Sequence, residues 1–116
     1  MKKVWCFAPQ SGGVKISPRI IPVIVAQIEA HERKQPWYPH FKLKPRFKGQ
    51  FCYLDACKEN GELFPIGRLR HFDISRWSLA FYAYSSETYQ PCIFPNGEWM
   101  GKVEDAINTC AVYLED

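Results

Sequence analysis

The clearest pattern along the chain is an alternation of apolar and basic residues between positions 41 and 48. The odd positions are apolar and the even positions are basic, in the order Phe41, Lys42, Leu43, Lys44, Pro45, Arg46, Phe47 and Lys48. Because successive side chains of a strand point to opposite faces, this segment predicts a strand with one buried face and one cationic face. Pro45 cannot donate a hydrogen bond to a neighbouring strand, so we expect a bulge or a position at the edge of the sheet.

Further short apolar runs, separated by turn residues, follow this segment. They predict strands over residues 51–57, 63–72, 77–85 and 90–94. Asn60-Gly61 indicates a hairpin turn after the first of these strands, and Asn96-Gly97 indicates a turn into residues 98–100. Connections of only a few residues between neighbouring strands are typical of an antiparallel meander.

Two segments have the periodicity of amphipathic helices. Ile20, Ile24 and Ile28 recur at four-residue spacing. Ser17-Pro18 is a typical helix start, although Pro22 favours a regular helix that begins nearer Pro22 and ends before Pro36. The second segment is apolar at Val103, Ala106, Ile107, Cys110, Ala111 and Leu114. It predicts a C-terminal helix with acidic residues in its first turn, where the helix dipole favours negative charge.

Together these elements predict one α+β domain over residues 1–116. We expect an antiparallel sheet of four to five strands with an N-terminal and a C-terminal helix packed on one face. The short apolar run Val4–Ala8 suits a further strand, and residues 9–17 suit a loop. The longest apolar run, Ile20–Ala26, is far shorter than the roughly 18 residues of a membrane span, so we expect no membrane role.

The composition predicts a hydrophobic core that needs no disulfide or metal, and cysteines that remain reduced. Of 116 residues, 47% are hydrophobic and 16% aromatic, which is enough to fold without a disulfide, metal or other cofactor. Five cysteines, no apolar stretch long enough for a signal peptide and no paired spacing favour reduced thiols in a cytoplasmic protein. We expect Cys92 and Cys110 to be buried as small apolar residues.

The net charge of +3 conceals a strong asymmetry. Residues 1–50 carry 10 basic and 2 acidic residues, whereas residues 51–116 carry 5 basic and 10 acidic residues. Such an imbalance indicates an anionic partner for the basic half. Alternatively, the two halves neutralise each other within the fold or across a dimer.

Metal binding and catalysis have weaker support in the sequence. Cys52 and Cys57 lie on one predicted strand and face opposite ways, and the three histidines are scattered, so we assign no metal site. The best candidate catalytic set consists of Arg68, Arg70, His71 and Asp73, with His31 or His40 as a second imidazole. Two imidazoles beside arginines could cleave RNA without a metal. An ordinary exposed strand face explains the same residues, and we assign no catalytic residue.

Nucleic-acid binding has better support. The candidate contacts to anions are Lys42, Lys44, Arg46, Lys48, Arg68 and Arg70. Tyr82 and Tyr84 share a strand face opposite Trp77 and Leu79, and they are candidates for stacking on bases. The partner is then a nucleic acid or an acidic protein. In the alternative, lysines on an edge strand only prevent aggregation of the sheet.

A protein-interaction module is the third class of function. Trp5, Trp37 and Trp99 lie in termini or loops, where they predict an exposed adhesive surface. A homodimer is the simplest way to cover such a surface. We therefore expect a homodimer, and a homodimeric adaptor is an alternative function.

A resemblance adds to this picture without adding an activity. It is carried by Gly61-Glu62, Pro65, Arg68-Leu69-Arg70, residues 77–82, Ser85, Tyr89, Pro95-Asn96-Gly97, Gly101, Glu104-Asp105-Ala106 and Tyr113-Leu114. With residues 47–53 as a preceding hairpin, this set resembles a family of short uncharacterised bacterial proteins carried on mobile or accessory DNA such as integron gene cassettes. The resemblance implies a bacterial accessory protein. The strand–turn–helix ending is similar to that of HicB-type antitoxins, which implies an antitoxin-like role as an alternative.

Overall fold

The computed structural model describes residues 11–114, which form an antiparallel sheet and two helices. The helices are α1 (Ile21–Glu32) and α2 (Val103–Cys110), and a 3₁₀ turn over Ala111–Tyr113 continues α2. The strands are β1 (Phe41–Lys48), β2 (Phe51–Lys58), β3 (Leu63–Asp73), β4 (Arg76–Ala83), β5 (Thr88–Cys92) and β6 (Met100–Gly101). The α+β class and the antiparallel sheet are thereby confirmed. The expected strand over Val4–Ala8 lies outside the described residues.

The first five strands form the expected meander in the order β1-β2-β3-β4-β5, and β6 pairs with the start of β4. Within residues 11–114 the sheet therefore has six strands, one more than the upper expected number, because the two residues of β6 are too few to show a periodic signal. β5 begins and ends two residues earlier than expected. The reason is a tight turn in which the Phe94 N–H donates to the Glu98 carbonyl and the Gly97 N–H donates to the Phe94 carbonyl.

The core joins one set of alternating strand residues to both helices. Leu43, Leu54 and Leu69 are buried, and they belong to one apolar cluster with Ile28 of α1 and Ile107 of α2. The other buried members of the cluster come from the strands, the helices and the connections. They are Ile16, Ile24, Trp37, Cys52, Ala56, Ile66, Trp77, Leu79, Phe94, Val103, Ala106, Cys110 and Leu114. The apolar periodicities of the sequence therefore identify most of the core.

Close approach of α2 to the sheet depends on Gly67. A Cβ atom placed on this β3 residue would lie 2.6 Å from the Cys110 Sγ and 3.2 Å from the Ala80 carbonyl oxygen. Only a residue without a side chain fits under the helix at this point. Cys110 is fully buried there, as expected, whereas Cys92 is only half-buried.

Two expectations about side chains are wrong. Trp37 is only 7% exposed and belongs to the core, so it contributes no adhesive surface; Trp99 is 40% exposed, and Trp5 lies outside the described residues. Ser17 does not cap α1. Its carbonyl accepts the Ile20 N–H and its Oγ accepts the Arg19 N–H, which builds a turn before the helix starts at Ile21.

The end of α1 protects the edge of the sheet. The Leu43 N–H donates to the Glu32 Oε1 at 2.8 Å, and the Phe41 N–H donates to the Trp37 carbonyl at 3.0 Å. Alternate amides of an edge strand point away from its neighbour, and these two lie on that outer side of β1. Pro45 has no N–H, so three successive outward positions of β1 offer no free donor. The expected position of β1 at an edge is confirmed by the strand order.

Neither helix among residues 11–114 has the length and apolar character needed to cross a membrane.

Candidate nucleic-acid interface

The strand register brings the two predicted groups of cations together on one side of the sheet. Arg46 lies opposite Tyr53, and Tyr53 lies opposite Arg68 on the next strand. Directly paired residues of neighbouring strands share a face. We call this surface the cationic face and define it as Lys42, Lys44, Arg46, Lys48, Phe51, Tyr53, Arg68, Arg70, Tyr82 and Tyr89. It is the side of β1 to β5 opposite the buried leucines.

The arginines of this face lie over aromatic rings. The Arg68 Cζ is 4.6 Å from the ring centroid of Phe51 and 5.2 Å from that of Tyr89. The Arg70 Cζ is 4.7 Å from the same Phe51 ring, and the Arg46 Cζ is 4.8 Å from the Tyr53 ring. A cation over an aromatic face is attracted by the ring quadrupole, and at a partly exposed site this contributes on the order of 0.5–1 kcal/mol. The stacking orients three guanidinium planes.

Arg46 also has an acidic partner. Its Nε donates to the Asp55 Oδ2 at 2.6 Å, and this hydrogen bond raises the pKa of the Arg46 guanidinium above its ordinary value. The Asp55 side chain is 12% exposed, whereas the Arg46 side chain is 57% exposed. Part of the Arg46 charge is therefore already neutralised. The three lysines of the β1 row are exposed and have no ion pair with another described residue.

Arg68 and Arg70 differ in their remaining contacts. The Arg70 Nη1 donates to the Gly12 carbonyl at 2.8 Å. Burial, followed by the neighbouring charge of Arg68, lowers the pKa of Arg70 below its ordinary value. Arg68 is half-buried, and within residues 11–114 it has cation–π contacts but no ion pair or hydrogen bond from its guanidinium. Its N–H groups can therefore donate hydrogen bonds to a ligand.

The two candidate stacking tyrosines have different positions. Tyr82 belongs to β4 and contacts Tyr89, with ring centroids 5.0 Å apart. Tyr84 follows the end of β4, and its hydroxyl donates to the Pro65 carbonyl. Its ring makes edge-to-face contacts with Tyr82 and Tyr113 at centroid distances of 4.8 and 5.4 Å. Tyr82 is thus on the cationic face, and Tyr84 is at its rim.

Phe51, Tyr53 and Tyr89 were not among the candidate residues of the sequence. They occupy the centre of the cationic face, where Tyr53 and Tyr89 are 5.6 Å apart. The two-residue connection Gly49-Gln50 is the feature of the sequence that could have predicted the position of the β2 aromatic residues. It sets the register of β1 and β2 and so places the aromatic side chains of β2 beside the cations of β1.

The structure does not assemble the candidate catalytic set. His71 and its neighbour Arg70 point to opposite faces of β3, and His71 is only 6% exposed. Its Nδ1 donates to the Val14 carbonyl, and its ring packs 4.7 Å from that of Trp77. His31 bonds to Asn108 and His40 bonds to Glu59, each at 2.8 Å. Each histidine has its own local partners, and none lies on the cationic face.

No group of three or more His, Cys, Asp or Glu side chains within residues 11–114 is arranged to hold a metal ion.

Comparison of the chain with models of protein families, with curated proteins and with solved structures finds no match. The similarity to gene-cassette proteins and to HicB-type antitoxins therefore stays a prediction.

Proposed function

We propose that the protein is a non-enzymatic binding protein whose cationic face contacts single-stranded nucleic acid. One observation carries this proposal: cations from β1 and β3 share a sheet face with aromatic rings from β2 and β5. Proteins that bind single strands combine basic side chains along the phosphates with aromatic or guanidinium planes that stack on bases. The cationic face offers both kinds of group.

The placement of the helices is part of the proposal. We infer that α1 and α2 both cover the face of Leu43, Leu54 and Leu69, because these leucines share one apolar cluster with both helices. The opposite, cationic face then has no helix over it. A flexible single strand of nucleic acid could lie across β1 to β3. Its phosphates would be near the lysine row (Lys42, Lys44 and Lys48), and its bases would be near the stacked arginines.

An acidic protein is the competing partner, and the stacked arginines favour nucleic acid over it. A planar guanidinium held against a ring can stack on a base and can also bind a phosphate through two parallel N–H groups. An acidic peptide would use only the second property. The lysine row alone would not distinguish the two partners.

Fluorescence anisotropy with labelled single- and double-stranded DNA and RNA tests the proposal. We expect the single strands to bind at about 50 mM salt and to bind much more weakly at about 200 mM salt, because each phosphate contact releases a counterion. The paired reversals Lys42→Glu and Lys44→Glu should weaken binding to every sequence and lower the salt dependence by about two phosphate contacts. Reversal of the exposed Lys102, before α2, is the matched control and should change binding little.

A second variant separates stacking from charge. Arg68→Lys keeps the charge and loses the planar group, so we expect weaker binding with an unchanged salt dependence. If no nucleic acid binds at the lower salt, or if the reversals of Lys42 and Lys44 change nothing, the proposal fails. Capture of an acidic protein in that case would identify the competing partner.

We further infer a cytoplasmic, homodimeric accessory protein of bacterial origin. The four described cysteines, Cys52, Cys57, Cys92 and Cys110, are all free thiols, which suits a reducing compartment. Large exposed apolar side chains such as Leu63 and Val112 could form a subunit contact. Sedimentation equilibrium should show twice the monomer mass, and a single monomeric species would contradict the dimer.

A further inference from the structure

A small cleft interrupts the cationic face above β4. Its walls are formed by Arg68 and Arg70 on one side and by Tyr89 and Pro91 on the other. The floor is made by Ser78 and Ala80 of β4, which pair with Arg70 and Arg68 respectively. The cleft exists because these two residues are small whereas their neighbours on β3 and β5 are large. Its volume is about 50 Å³.

The arginine wall of the cleft is held in place before any ligand arrives. Both guanidinium groups lie over the ring of Phe51, at 4.6 and 4.7 Å from its centroid, and Arg68 also lies over Tyr89. Arginine side chains otherwise lose considerable rotamer freedom when they bind. Stacking on the two rings reduces this loss.

Among residues 11–114, the charged side chains that line the cleft are Arg68 and Arg70. No acidic side chain of these described residues lines it, and Asp55, the acid of β2 on this side of the sheet, is bound to Arg46. Burial, followed by the neighbouring charge of Arg68, lowers the pKa of Arg70. The two guanidinium groups therefore lie close enough for one anion to contact both.

The size of the cleft selects the anion. A water molecule needs about 10–15 Å³ of such space, so the cleft has room for roughly four oxygen-sized atoms. This is the oxygen count of one phosphate group, and it is too little for a nucleobase. An internal phosphodiester would have to direct both ester oxygens out of the cleft, whereas a terminal phosphate directs only one. A terminal phosphate also carries close to two negative charges at neutral pH, which matches two guanidinium groups.

We propose that the cleft between Arg68, Arg70 and Tyr89 binds a terminal phosphate monoester, and that the cationic face recognises a single strand by its phosphorylated end. This inference rests on the proposed function, because the strand supplies the phosphate. Tyr89 lines the cleft beside Arg68, whose guanidinium lies over its ring. The rest of the face then holds the adjoining nucleotides.

Paired oligonucleotides test the inference directly. Anisotropy is measured with strands of one sequence that end in a 5′-phosphate, a 3′-phosphate or hydroxyl groups only. Charge-assisted hydrogen bonds contribute about 1.5–3 kcal/mol, so we expect one phosphorylated end to bind about ten-fold or more tightly than the hydroxyl strand. Ala80→Leu fills the cleft without a change in charge and should abolish this preference.

A second variant and a direct titration test the inference even if the Ala80→Leu variant does not fold. Arg68→Lys should likewise reduce the preference, because ammonium lacks the two parallel donors of guanidinium. In NMR spectra of the wild-type protein, the side-chain N–H signals of Arg68 should shift on titration with inorganic phosphate at constant ionic strength. Exposed Lys102, which lies outside the cationic face, serves as the reference cation in the same titration.

The outcomes separate the two proposals. Equal binding of phosphorylated and hydroxyl strands overturns the cleft proposal and leaves the nucleic-acid function intact. Failure of every strand to bind overturns the nucleic-acid function, and the phosphate titration then decides whether the cleft binds a phosphate group. Absence of an Arg68 shift in that titration overturns the cleft as well.

Discussion

Glu32 connects the end of α1 to the edge of the sheet, and two substitutions measure this connection. Glu32→Ala removes the acceptor of the Leu43 N–H, whereas Glu32→Gln keeps an acceptor oxygen and nearly the same size. Both residues are buried, with exposed fractions of 7% for Glu32 and 6% for Leu43. Water therefore cannot readily replace the lost acceptor in the alanine variant.

The expected magnitudes follow from these contacts. A buried donor without a partner costs about 1–3 kcal/mol, so the alanine variant should lose that much free energy of unfolding. The glutamine variant should remain within about 1 kcal/mol of the wild type at neutral pH, because the hydrogen bond can still form. A larger loss in the glutamine variant than in the alanine variant would contradict the role of the acceptor.

The wild type and the glutamine variant should also differ in their response to pH. Burial raises the pKa of Glu32 above its ordinary value, although the Leu43 N–H acts in the opposite direction. The folded state therefore holds this proton more tightly than the unfolded state. The contribution of the group to stability is fully present below the unfolded pKa of about 4.5 and is lost as the pH rises through the folded pKa. Glutamine cannot titrate, so the stability of the variant relative to the wild type should rise from pH 4 to pH 7.

Urea unfolding of the three proteins at both pH values is the assay. The other carboxyl groups titrate in all three proteins, and their effects cancel in the differences. Equal stability of the alanine variant and the wild type would refute the argument that Glu32 satisfies the Leu43 N–H. A glutamine-to-wild-type difference that is the same at both pH values would refute the argument from the raised pKa.

Two further predictions concern packing and thiol chemistry. Gly67→Ala should lower stability by about 1–3 kcal/mol through overpacking against α2, and Cys110→Ala should recover part of the loss. Additive effects in that double-mutant cycle would refute the contact between the two residues. Burial raises the pKa of Cys52 and Cys110 to about 12, so alkylation of the folded protein at pH 8 should modify the partly exposed Cys57 well before either of them. Peptide mass spectrometry measures the order, and early modification of Cys110 would contradict it.

Sequence patterns predicted those elements whose signal is local. The bounds of β1 follow from the alternation over 41–48, and Pro45 predicted either an edge position or a bulge because proline lacks an amide donor. The helix α2 follows from its apolar spacing, although its last turn is a 3₁₀ turn that the same spacing does not distinguish. These features depend on neighbouring residues alone.

Features that depend on tertiary contacts were harder to predict. Trp37 lies in a proline-rich connection, a setting typical of surface loops, yet it is buried in the apolar cluster that also contains Ile28 and Leu114. The stack of Arg68 on Phe51 and Tyr89 requires three strands in register, and no single-strand pattern contains it. His71, by contrast, directly follows Arg70 in β3, so the alternation of side chains already predicted that the two point to opposite faces. This opposite orientation argues against the catalytic set.

The satisfied outward amides of β1 have a consequence for partner binding. Many proteins recruit peptides by β-augmentation, in which an extended segment adds to a free sheet edge through backbone hydrogen bonds. At β1 this would require displacement of the Glu32 and Trp37 acceptors, and Pro45 would still leave a gap in the ladder. Strand addition at β1 is therefore disfavoured, which leaves β5 as the other end of the strand order among the described residues. The lysine side of the cationic face then stays clear of such a partner, so a polyanion and a peptide could be bound at the same time.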